Sequence, residues 1–238
     1  MMSQEKKLVF SLQNLSLTYN KRKRLFRDTT PFEALKDISF DIFEGDSVGI
    51  LGRNGAGKST LLKILVGILN PSSGKLETFG HRKSLLALNL GFDPNLSGRD
   101  NAILNGMILG FSKKEMLSKL NSICEFAELG SKFDEQIKNY SSGMKARLGF
   151  SVAINLQSDV LLIDEVLAVG DVKFKKKSKA IMEEKINSGD TVVLVSHSAQ
   201  TIKKLCNKAI WIENGLVKMQ GPSDLVVDEY SKFLQEET

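Results

Sequence analysis

The feature of this sequence that most constrains its fold is GRNGAGKS, residues Gly52 to Ser59, which lies between a short apolar run and an apolar helical run. It matches the phosphate-loop pattern at every specified position, in the strand–loop–helix order that the pattern requires. Glycines let backbone N–H groups converge on a β-phosphate, the lysine can reach the β- and γ-phosphates, and the serine hydroxyl can bind Mg²⁺. The residues predicted to bind the phosphates are Gly52, Arg53, Asn54, Gly55, Ala56, Gly57, Lys58, Ser59 and Thr60.

The segments around this loop predict an α/β core. LVFSLQNLSLTY from Leu8 alternates like a strand, and ALKDISFDIFEGDSVGILG from Ala34 supplies two more strands with a turn at residues 44–46. The nearly continuous apolar runs VLLID and TVVLVSH fit a parallel sheet that is buried on both faces. Near the end of the chain, KAIWIENGLVKMQG predicts a hairpin that turns at Asn214-Gly215 and is followed by a short helix.

Between about Gly91 and Leu156 the sequence changes to helical periodicity, so we predict that a helical segment interrupts the core. Near its end, KNYSSGMKARL predicts a helix N-terminus, whose unpaired N–H groups and partial positive charge favour an anion. One chain would therefore carry two phosphate-binding turns. The candidate core positions of the helical segment are Leu104, Ile108, Leu117, Leu120, Ile123 and Phe126.

VLLIDE, from Val160 to Glu165, predicts a buried strand that ends in two acids. Asp164 is predicted to hold Mg²⁺ through water, and Glu165 to polarise the attacking water as a general base. His197 ends the next apolar strand and is placed to contact a γ-phosphate or to orient the water. Each has a plain alternative, because two acids can form a turn and a histidine at a strand end is usually structural. The other histidine, His81, is interpreted as a surface residue.

Composition and charge limit the class of protein. The N-terminus MMSQEKKLVF has no long apolar run, and the most apolar stretch, LLKILVGIL, is too short to span a bilayer. We therefore predict a cytosolic protein that could sit against a membrane. Cys124 and Cys206 are too few and too far apart for a disulfide framework or a metal site and are predicted to be small buried hydrophobes. The net charge of +5 includes basic clusters at residues 21–27 and 173–179, and the second is interpreted as a solvated helix face.

Together these motifs resemble the nucleotide-binding domain of an ABC transporter, and the resemblance covers nearly the whole chain. It implies a P-loop NTPase (RecA-like) α/β core with a mostly parallel sheet, an antiparallel β subdomain and a helical insertion subdomain. The expected divisions are a catalytic core of residues 1–90 and 157–238 and a helical subdomain of residues 91–156. The expected cofactors are ATP and Mg²⁺.

The resemblance also assigns the second turn. In this family two cassettes pair head to tail and sandwich two ATP molecules, so each turn of one chain serves a different nucleotide. Tyr19 matches the aromatic residue that stacks on adenine, and Asp171, in LAVGD, matches a contact to the partner subunit. The family's signature motif, which completes the partner's site in trans, is matched by Tyr140, Ser141, Ser142, Gly143 and Met144.

Departures from the usual motifs narrow the branch of the family. Ser142 and Met144 replace the usual glycine and glutamine, and GFDPNLSGRDN, YSSGM and LAVGD are similar to cassettes that export lipid-linked polysaccharides: O-antigen, capsule or wall teichoic acid. The resemblance implies a homodimeric ATPase on the cytoplasmic face of the cytoplasmic membrane, paired with an integral-membrane permease. Some members add a C-terminal carbohydrate-binding domain, and we expect none here. A cassette for a small solute or drug is an alternative, and so is a non-transport ATPase acting on nucleic acid or ribosomes, although we expect no nucleic-acid partner.

Two segments depart further. The family normally places a glutamine between the core and the helical insertion, but no glutamine occurs between Gln13 and Gln136. Asn89 is the nearest amide in the expected segment, but its side chain is shorter and we do not assign it the role. The connection from Asn20 to Leu35 is longer than a hairpin needs, and its basic cluster flanks an apolar Leu-Phe pair. It is either a solvated loop or a segment that faces the membrane or the permease.

Overall fold

A computed structural model describes residues 6–19, 31–86, 91–156, 158–164 and 171–236 of the 238-residue chain. The chain falls into two compact units, residues 1–81 with 189–238, and residues 82–188. The strands are β1 (Leu8–Tyr19), β2 (Phe32–Phe43), β3 (Ser47–Leu51), β4 (Ser73–Thr78), β5 (Lys83–Leu86), β6 (Val160–Asp164), β7 (Thr191–Val195), β8 (Lys208–Glu213) and β9 (Leu216–Pro222). The helices are α1 (Lys58–Leu65), α2 (Gly98–Ile108), α3 (Lys113–Ala127), α4 (Ser142–Asn155), α5 (Val172–Asn187), α6 (Ala199–Leu205) and α7 (Ser223–Glu236).

The first unit contains an antiparallel sheet in the order β2-β1-β4. In β2, buried and exposed residues alternate from Asp37 to Ile42, which is the pattern of a strand with one face on the core, whereas Val9 to Leu12 of β1 are all buried. The antiparallel β element that the family resemblance implies is therefore present.

The same unit contains a second, mostly parallel group of strands. Strand β3 pairs in parallel with β7 on one side and with β8 on the other, and β9 pairs with β8 antiparallel. Every residue of β7 is buried, as its continuous apolar run predicts, and every residue of β3 is buried as well. The predicted hairpin is confirmed, because Asn214 (φ +52°) and Gly215 (φ +81°) give the left-handed pair that a tight β8–β9 turn requires. The helix after it, α7, has 14 residues and is longer than the short helix predicted.

A buried carboxylate links the residue before β3 to β8, to the end of β2 and to the segment before β1. Asp46, whose side chain is fully buried, accepts hydrogen bonds from Lys6 Nζ (3.0 Å), Lys208 Nζ (2.7 Å) and the Phe43 N–H (3.1 Å). Burial alone would raise the pKa of this carboxyl, but the hydrogen bonds from Lys208, Lys6 and Phe43 outweigh it and hold the pKa below its ordinary value. The charge of Asp46 therefore stabilises the folded unit at neutral pH.

The second unit combines the parallel pair β5–β6 with helices α2 to α5. Two short 3₁₀ turns, Gly130–Asp134 and Ile137–Asn139, connect α3 to α4. Its four helices begin at side-chain caps: Ser97, Ser112, Ser141 and Asp171 each accept a hydrogen bond from a backbone N–H of the first turn. The core of the helical part is formed by Ala102, Phe111, Met116, Leu120, Ile123, Ala127, Leu129, Phe133, Ile137, Tyr140, Leu148, Val152 and Leu156.

Two of the predicted core positions in this segment are wrong. Ile108 and Leu117 are each 52 % exposed, whereas Leu120 and Ile123 are buried as predicted. The face that α2 buries consists of small and polar residues, Asn101, Ala102, Asn105 and Gly106, and Ile108 lies outside it. In α3 the buried face runs through Met116, which shifts the core by one position from Leu117. The remaining two predicted positions are half-buried: Leu104 and Phe126.

Three further predictions about single residues need correction. The His81 side chain is only 16 % exposed and its Nε2 lies 3.8 Å from the Glu44 carboxylate, so it is not a plain surface residue. Cys206 is buried, and burial raises the pKa of its thiol to about 12, but Cys124 is only half-buried. Within the basic helix face, Lys177 is not freely solvated, because its Nζ donates to the Phe126 carbonyl (3.0 Å) and lies 4.1 Å from the Phe126 ring centre.

Among the described helices, none combines the length and the apolar character that a membrane crossing needs.

Candidate nucleotide-binding site

The glycine-rich loop leaves strand β3 through two positions that exclude a side chain. Gly52 has φ +146°, and a Cβ there would lie 1.9 Å from the Ile212 carbonyl oxygen on β8. Gly57 has φ +105°, and a Cβ there would lie 2.5 Å from the Ala34 carbonyl oxygen on β2. Both residues therefore must be glycine for packing and for backbone conformation. The loop is held close to two neighbouring strands.

The loop ends at the N-terminus of α1. Gly57 is the N-cap and provides no side-chain hydrogen bond, and the first turn of the helix contains no acidic residue. The partial positive charge of this helix end is therefore not opposed by a carboxylate on its own first turn. Such an end favours an anionic ligand, as the sequence predicts.

Lys58 is held inside the loop. Its side chain is almost completely buried, and Nζ donates to the carbonyl oxygens of Gly52 (2.7 Å) and Arg53 (2.9 Å). A buried ammonium needs such partners, because burying a charge without them is costly. The positive charge is thus kept at the centre of the loop, where it can attract phosphate oxygens.

An open pocket of about 280 Å³ lies beside the loop in the same unit. Its lining includes Phe32 at the start of β2 and His197 just after β7, and the remaining lining residues are Ala34, Asn54, Gly55, Gly57, Lys58, Ser59 and Thr60. The predicted pairing of the loop with His197 is therefore present in the geometry. The pocket is open enough for a ligand to enter from solvent, and its charged lining group is Lys58.

The aromatic wall of this pocket is Phe32, which sequence reasoning missed. Tyr19, the predicted adenine-stacking residue, is the cross-strand partner of Phe32, and its hydroxyl lies 3.4 Å from Thr60 Oγ1. Phe32 is 52 % exposed, so about half of this apolar side chain is open to solvent beside the loop. The only sequence signal was a single aromatic residue in TPFEAL, and the pairing that places it beside Tyr19 cannot be read from that stretch.

The acidic strand end lies in the second unit. Asp164 is the last residue of β6 and is half-buried, at the carboxyl end of a strand whose other residues are buried. Glu165, the predicted general base, lies outside the described residues. So does Asn89, the amide nearest to the missing glutamine.

The second predicted phosphate turn is the N-terminus of α4. Ser141 is its N-cap, with Oγ accepting from the Met144 N–H (3.1 Å), and Ser142 and Gly143 form the first turn. Ser141 and Ser142 are exposed, so they are accessible to a ligand. Tyr140 is instead buried, its hydroxyl donates to the Lys132 carbonyl (2.6 Å), and burial raises its pKa to about 12. Met144 packs against the helical core, so Tyr140 and Met144 support this turn from inside.

Asp171 and Arg147 form a link that the sequence did not reveal. Asp171 caps α5, with one carboxylate oxygen accepting from the Phe174 N–H (2.9 Å) and the other from Arg147 on α4. The capping N–H of Phe174, with the Arg147 charge beside it, lowers the pKa of Asp171. The Arg147 guanidinium also lies 5.5 Å from the Phe174 ring centre and 3.9 Å from Glu128. The N-termini of α4 and α5 are therefore joined within one subunit.

Comparisons with known proteins identify the class that these features define. Residues 35–168 match the ABC transporter family. The chain is 45 % identical over 210 residues to ABC transporter protein AbcA of Aeromonas salmonicida, covering 88 % of this chain and 68 % of that one. It is 45 % identical to the O-antigen export system ATP-binding protein RfbB of Myxococcus xanthus and 43 % identical to the teichoic acids export ATP-binding protein TagH of Lactococcus lactis, covering 92 % and 95 % of this chain. It spans about half the length of the latter two relatives.

Solved structures agree on the fold. A dimeric ATP-binding cassette in a post-hydrolysis state, bound to ADP and Pi, superposes with a TM-score of 0.72 at 21 % identity and covers 90 % of this chain and 98 % of that one. The ATP-binding subunit of an ABC transporter gives 0.74 at 22 % identity, covering 94 % and 93 %. The fold and the loop define an ATP-binding cassette with an α/β P-loop core. The chain belongs to the ABC transporter family and is an ATPase of that family.

Proposed function

We propose that this chain is the ATP-hydrolysing subunit of an exporter that moves a lipid-linked polysaccharide, of the O-antigen, capsule or teichoic acid type, across the cytoplasmic membrane. The observation that carries the proposal is the identity of 42–45 % to ATP-binding proteins of O-antigen and teichoic acid export systems, over 84–95 % of this chain. The phosphate loop and the capped signature turn supply the nucleotide chemistry that such a subunit needs.

ATP binds first through its phosphates. Residues 52–60 surround the β- and γ-phosphates with backbone N–H groups, and Lys58 leaves part of its carbonyl contacts to reach phosphate oxygens. Tyr19, with Phe32 beside it, provides the aromatic surface for adenine. The electrostatic attraction between Lys58 and the phosphates is strong here because the side chain is buried and little water screens its charge.

The residues expected to hold Mg²⁺ fit that ion. The Ser59 hydroxyl and the Asp164 carboxylate are hard oxygen ligands, and Mg²⁺ in nucleotide sites uses one or two protein groups together with phosphate oxygens. Within the described ranges, no group of three or more His, Cys, Asp or Glu side chains is placed to hold a metal ion. Bound there, Mg²⁺ would neutralise charge on the phosphates.

Hydrolysis then depends on Glu165 and His197. The Glu165 carboxylate accepts a proton from the attacking water, and His197, which lines the loop pocket, contacts the γ-phosphate or orients that water. Lys58 stabilises the negative charge that develops on the transferred group. The exposed position of His197 after β7 leaves it accessible to the phosphate.

The working unit is a head-to-tail homodimer bound to an integral-membrane permease on the cytoplasmic face of the membrane. Ser141, Ser142 and Gly143 complete the partner's ATP site in trans, with Tyr140 and Met144 supporting the turn, and Asp171 lies at the contact between subunits. Each subunit comprises a catalytic core of residues 1–90 and 157–238 and a helical subdomain of residues 91–156. A nucleic-acid partner is not part of this proposal.

The first experiment changes the general base. Glu165→Gln keeps the size of the side chain but removes the proton acceptor, so the rate of hydrolysis should fall by about 10²–10⁴-fold while ATP binding persists. Both are measured on the purified chain with Mg²⁺-ATP. Near-normal turnover by Glu165→Gln would refute the assignment. Copurification with a permease, followed by stimulation of ATPase activity with a defined glycolipid, tests the polysaccharide.

The second experiment tests the shared site. In a tethered dimer of one Lys58→Ala subunit and one Ser141→Arg subunit, a trans arrangement leaves one composite site intact and destroys the other. Crosslinked ATP should then label the Ser141→Arg subunit only. The two matched homodimers, each carrying one change, are the controls and should lose both sites. Labelling of neither subunit of the mixed dimer, or of the Lys58→Ala subunit alone, counts against action in trans.

A further inference from the structure

The phosphate loop carries an arginine whose side chain is engaged by the C-terminal part of the chain. Arg53 Nε donates to Glu213 Oε1 (2.8 Å), and the guanidinium carbon lies 5.2 Å from the centre of the Phe233 ring on α7. Glu213 is the last residue of β8, and its side chain is 4 % exposed. A buried carboxylate and an aromatic face together fix the guanidinium on two sides.

The same residue touches the centre of the loop through its main chain. The Arg53 carbonyl accepts hydrogen bonds from Lys58 Nζ (2.9 Å) and from the Ala56 N–H (3.2 Å). A shift of Arg53 would therefore move a carbonyl that holds the loop lysine. Gly52, directly before it, lies against the Ile212 carbonyl so closely that a Cβ would stand 1.9 Å away.

Helix α7 is itself firmly attached. Val226, Val227 and Tyr230 are buried, and the Trp211 ring on β8 packs against Tyr230 (5.4 Å between ring centres) and Phe233 (4.9 Å). The Trp211 Nε1–H lies within hydrogen-bond distance of the second Glu213 oxygen (3.4 Å). The aromatic rings and the carboxylate therefore form one cluster beneath Arg53.

We propose that Phe233 on α7 and Glu213 on β8 are positioning residues that set the conformation of the phosphate loop through Arg53, so that affinity for ATP depends on the placement of the C-terminal helix. Neither residue lines the loop pocket, and neither acts on the nucleotide directly. Their effect passes from the guanidinium to the Arg53 main chain and from there to Lys58. The inference rests on the proposed binding of ATP at this loop.

A double-mutant cycle tests the inference on the full chain. Phe233→Leu keeps an apolar side chain but removes the aromatic face, and we expect it to raise the Kd for ATP about three- to tenfold. Arg53→Ala should raise the Kd by a similar factor. Because both changes act through the same contact, the Kd of the double variant should be no higher than the higher of the two single-variant values. At saturating Mg²⁺-ATP the kcat of Phe233→Leu should stay close to that of the unmodified chain, because only binding is affected.

Leu225→Ala is the matched control, since Leu225 is 59 % exposed and lies eight residues earlier on α7, about 12 Å along the helix axis. It should leave the Kd unchanged. If Phe233→Leu binds ATP as the unmodified chain and Leu225→Ala do, or if its effect simply multiplies that of Arg53→Ala, the inference is wrong. If the unmodified chain itself binds no ATP, the proposed function fails first and the inference fails with it.

Discussion

Replacing single glycines in the phosphate loop separates packing from ligand access. In Gly52→Ala the new methyl group would start 1.9 Å from the Ile212 carbonyl oxygen, so the two backbones must part by more than 1 Å. Because Ile212 is paired within the β8–β9 hairpin, this movement disturbs the sheet as well as the loop. Overpacking and backbone strain of this kind together cost about 3–5 kcal/mol of unfolding free energy.

Gly55→Ala is the comparison variant. Gly55 has φ +81°, but a Cβ there would meet nothing within 4 Å, so only the left-handed backbone conformation is penalised, by about 1–2 kcal/mol. Gly55 lines the pocket in which we propose that the nucleotide binds, so a methyl group there would take up space beside the bound phosphates. We expect a small loss of stability and a large loss of ATP affinity.

Thermal unfolding followed by circular dichroism gives the order of the variants. In a chain of this size each 1 kcal/mol shifts Tm by about 2–4 °C, so Gly52→Ala should melt at least about 6 °C below the unmodified chain and well below Gly55→Ala. ATP titration of folded Gly55→Ala should then show weaker binding than its Tm alone suggests. If Gly52→Ala melts no lower than Gly55→Ala, the steric argument is refuted.

Three further predictions concern charge. Because the pKa of Asp46 is depressed in the folded state, its stabilising effect is present at neutral pH and is lost as pH falls below about 4. In urea titrations from pH 7 to pH 3, Asp46→Asn should be less stable than the unmodified chain at pH 7 and should approach its stability at pH 3. A stability difference between the two proteins that stays constant with pH would contradict this. Arg147→Met removes a guanidinium that is 20 % exposed, pairs with Asp171 and lies over the Phe174 ring, and should lower Tm by about 3–6 °C. Lys232→Met, at an ion pair exposed on both sides, should change Tm by less than about 1 °C. Serine in place of the basic residues of the 20–35 connection should leave the ATPase activity of the isolated subunit unchanged but reduce glycan export in cells. The residues changed are Lys21, Arg22, Lys23, Arg24 and Arg27. Unimpaired export by the variant at normal expression would favour the interpretation as a solvated loop.

Local features of the fold and of the candidate site could be predicted from the sequence because their causes are local. The strand–loop–helix unit around Lys58, the helix N-terminus in the YSSGM turn and the hairpin turn at Asn214-Gly215 each depend on residues within a few positions of one another. The nearly continuous apolar runs of β6 and β7 predicted buried parallel strands for the same reason.

Predictions failed where a helix face or a side-chain environment depends on what packs against it. Apolar periodicity could not show that α2 buries Asn105 and Gly106 and leaves Ile108 exposed, because that choice is made by the neighbouring elements. In the same way, Lys177 looked like one of several solvated lysines until the fold placed the Phe126 carbonyl within hydrogen-bond distance.

By itself, then, the sequence predicted a glycine-rich loop between a strand and a helix, a buried strand that ends in an acid, and a second helix N-terminus at the YSSGM turn. Only the tertiary structure decided what surrounds the loop. Arg53 and Glu213 are 160 residues apart, and so are Gly52 and Ile212, yet each pair is in contact. Phe32 enters the pocket wall through its pairing with Tyr19 across two strands. Such contacts follow from sheet order and strand register, which depend on the burial of the whole core, and no short stretch of sequence encodes them.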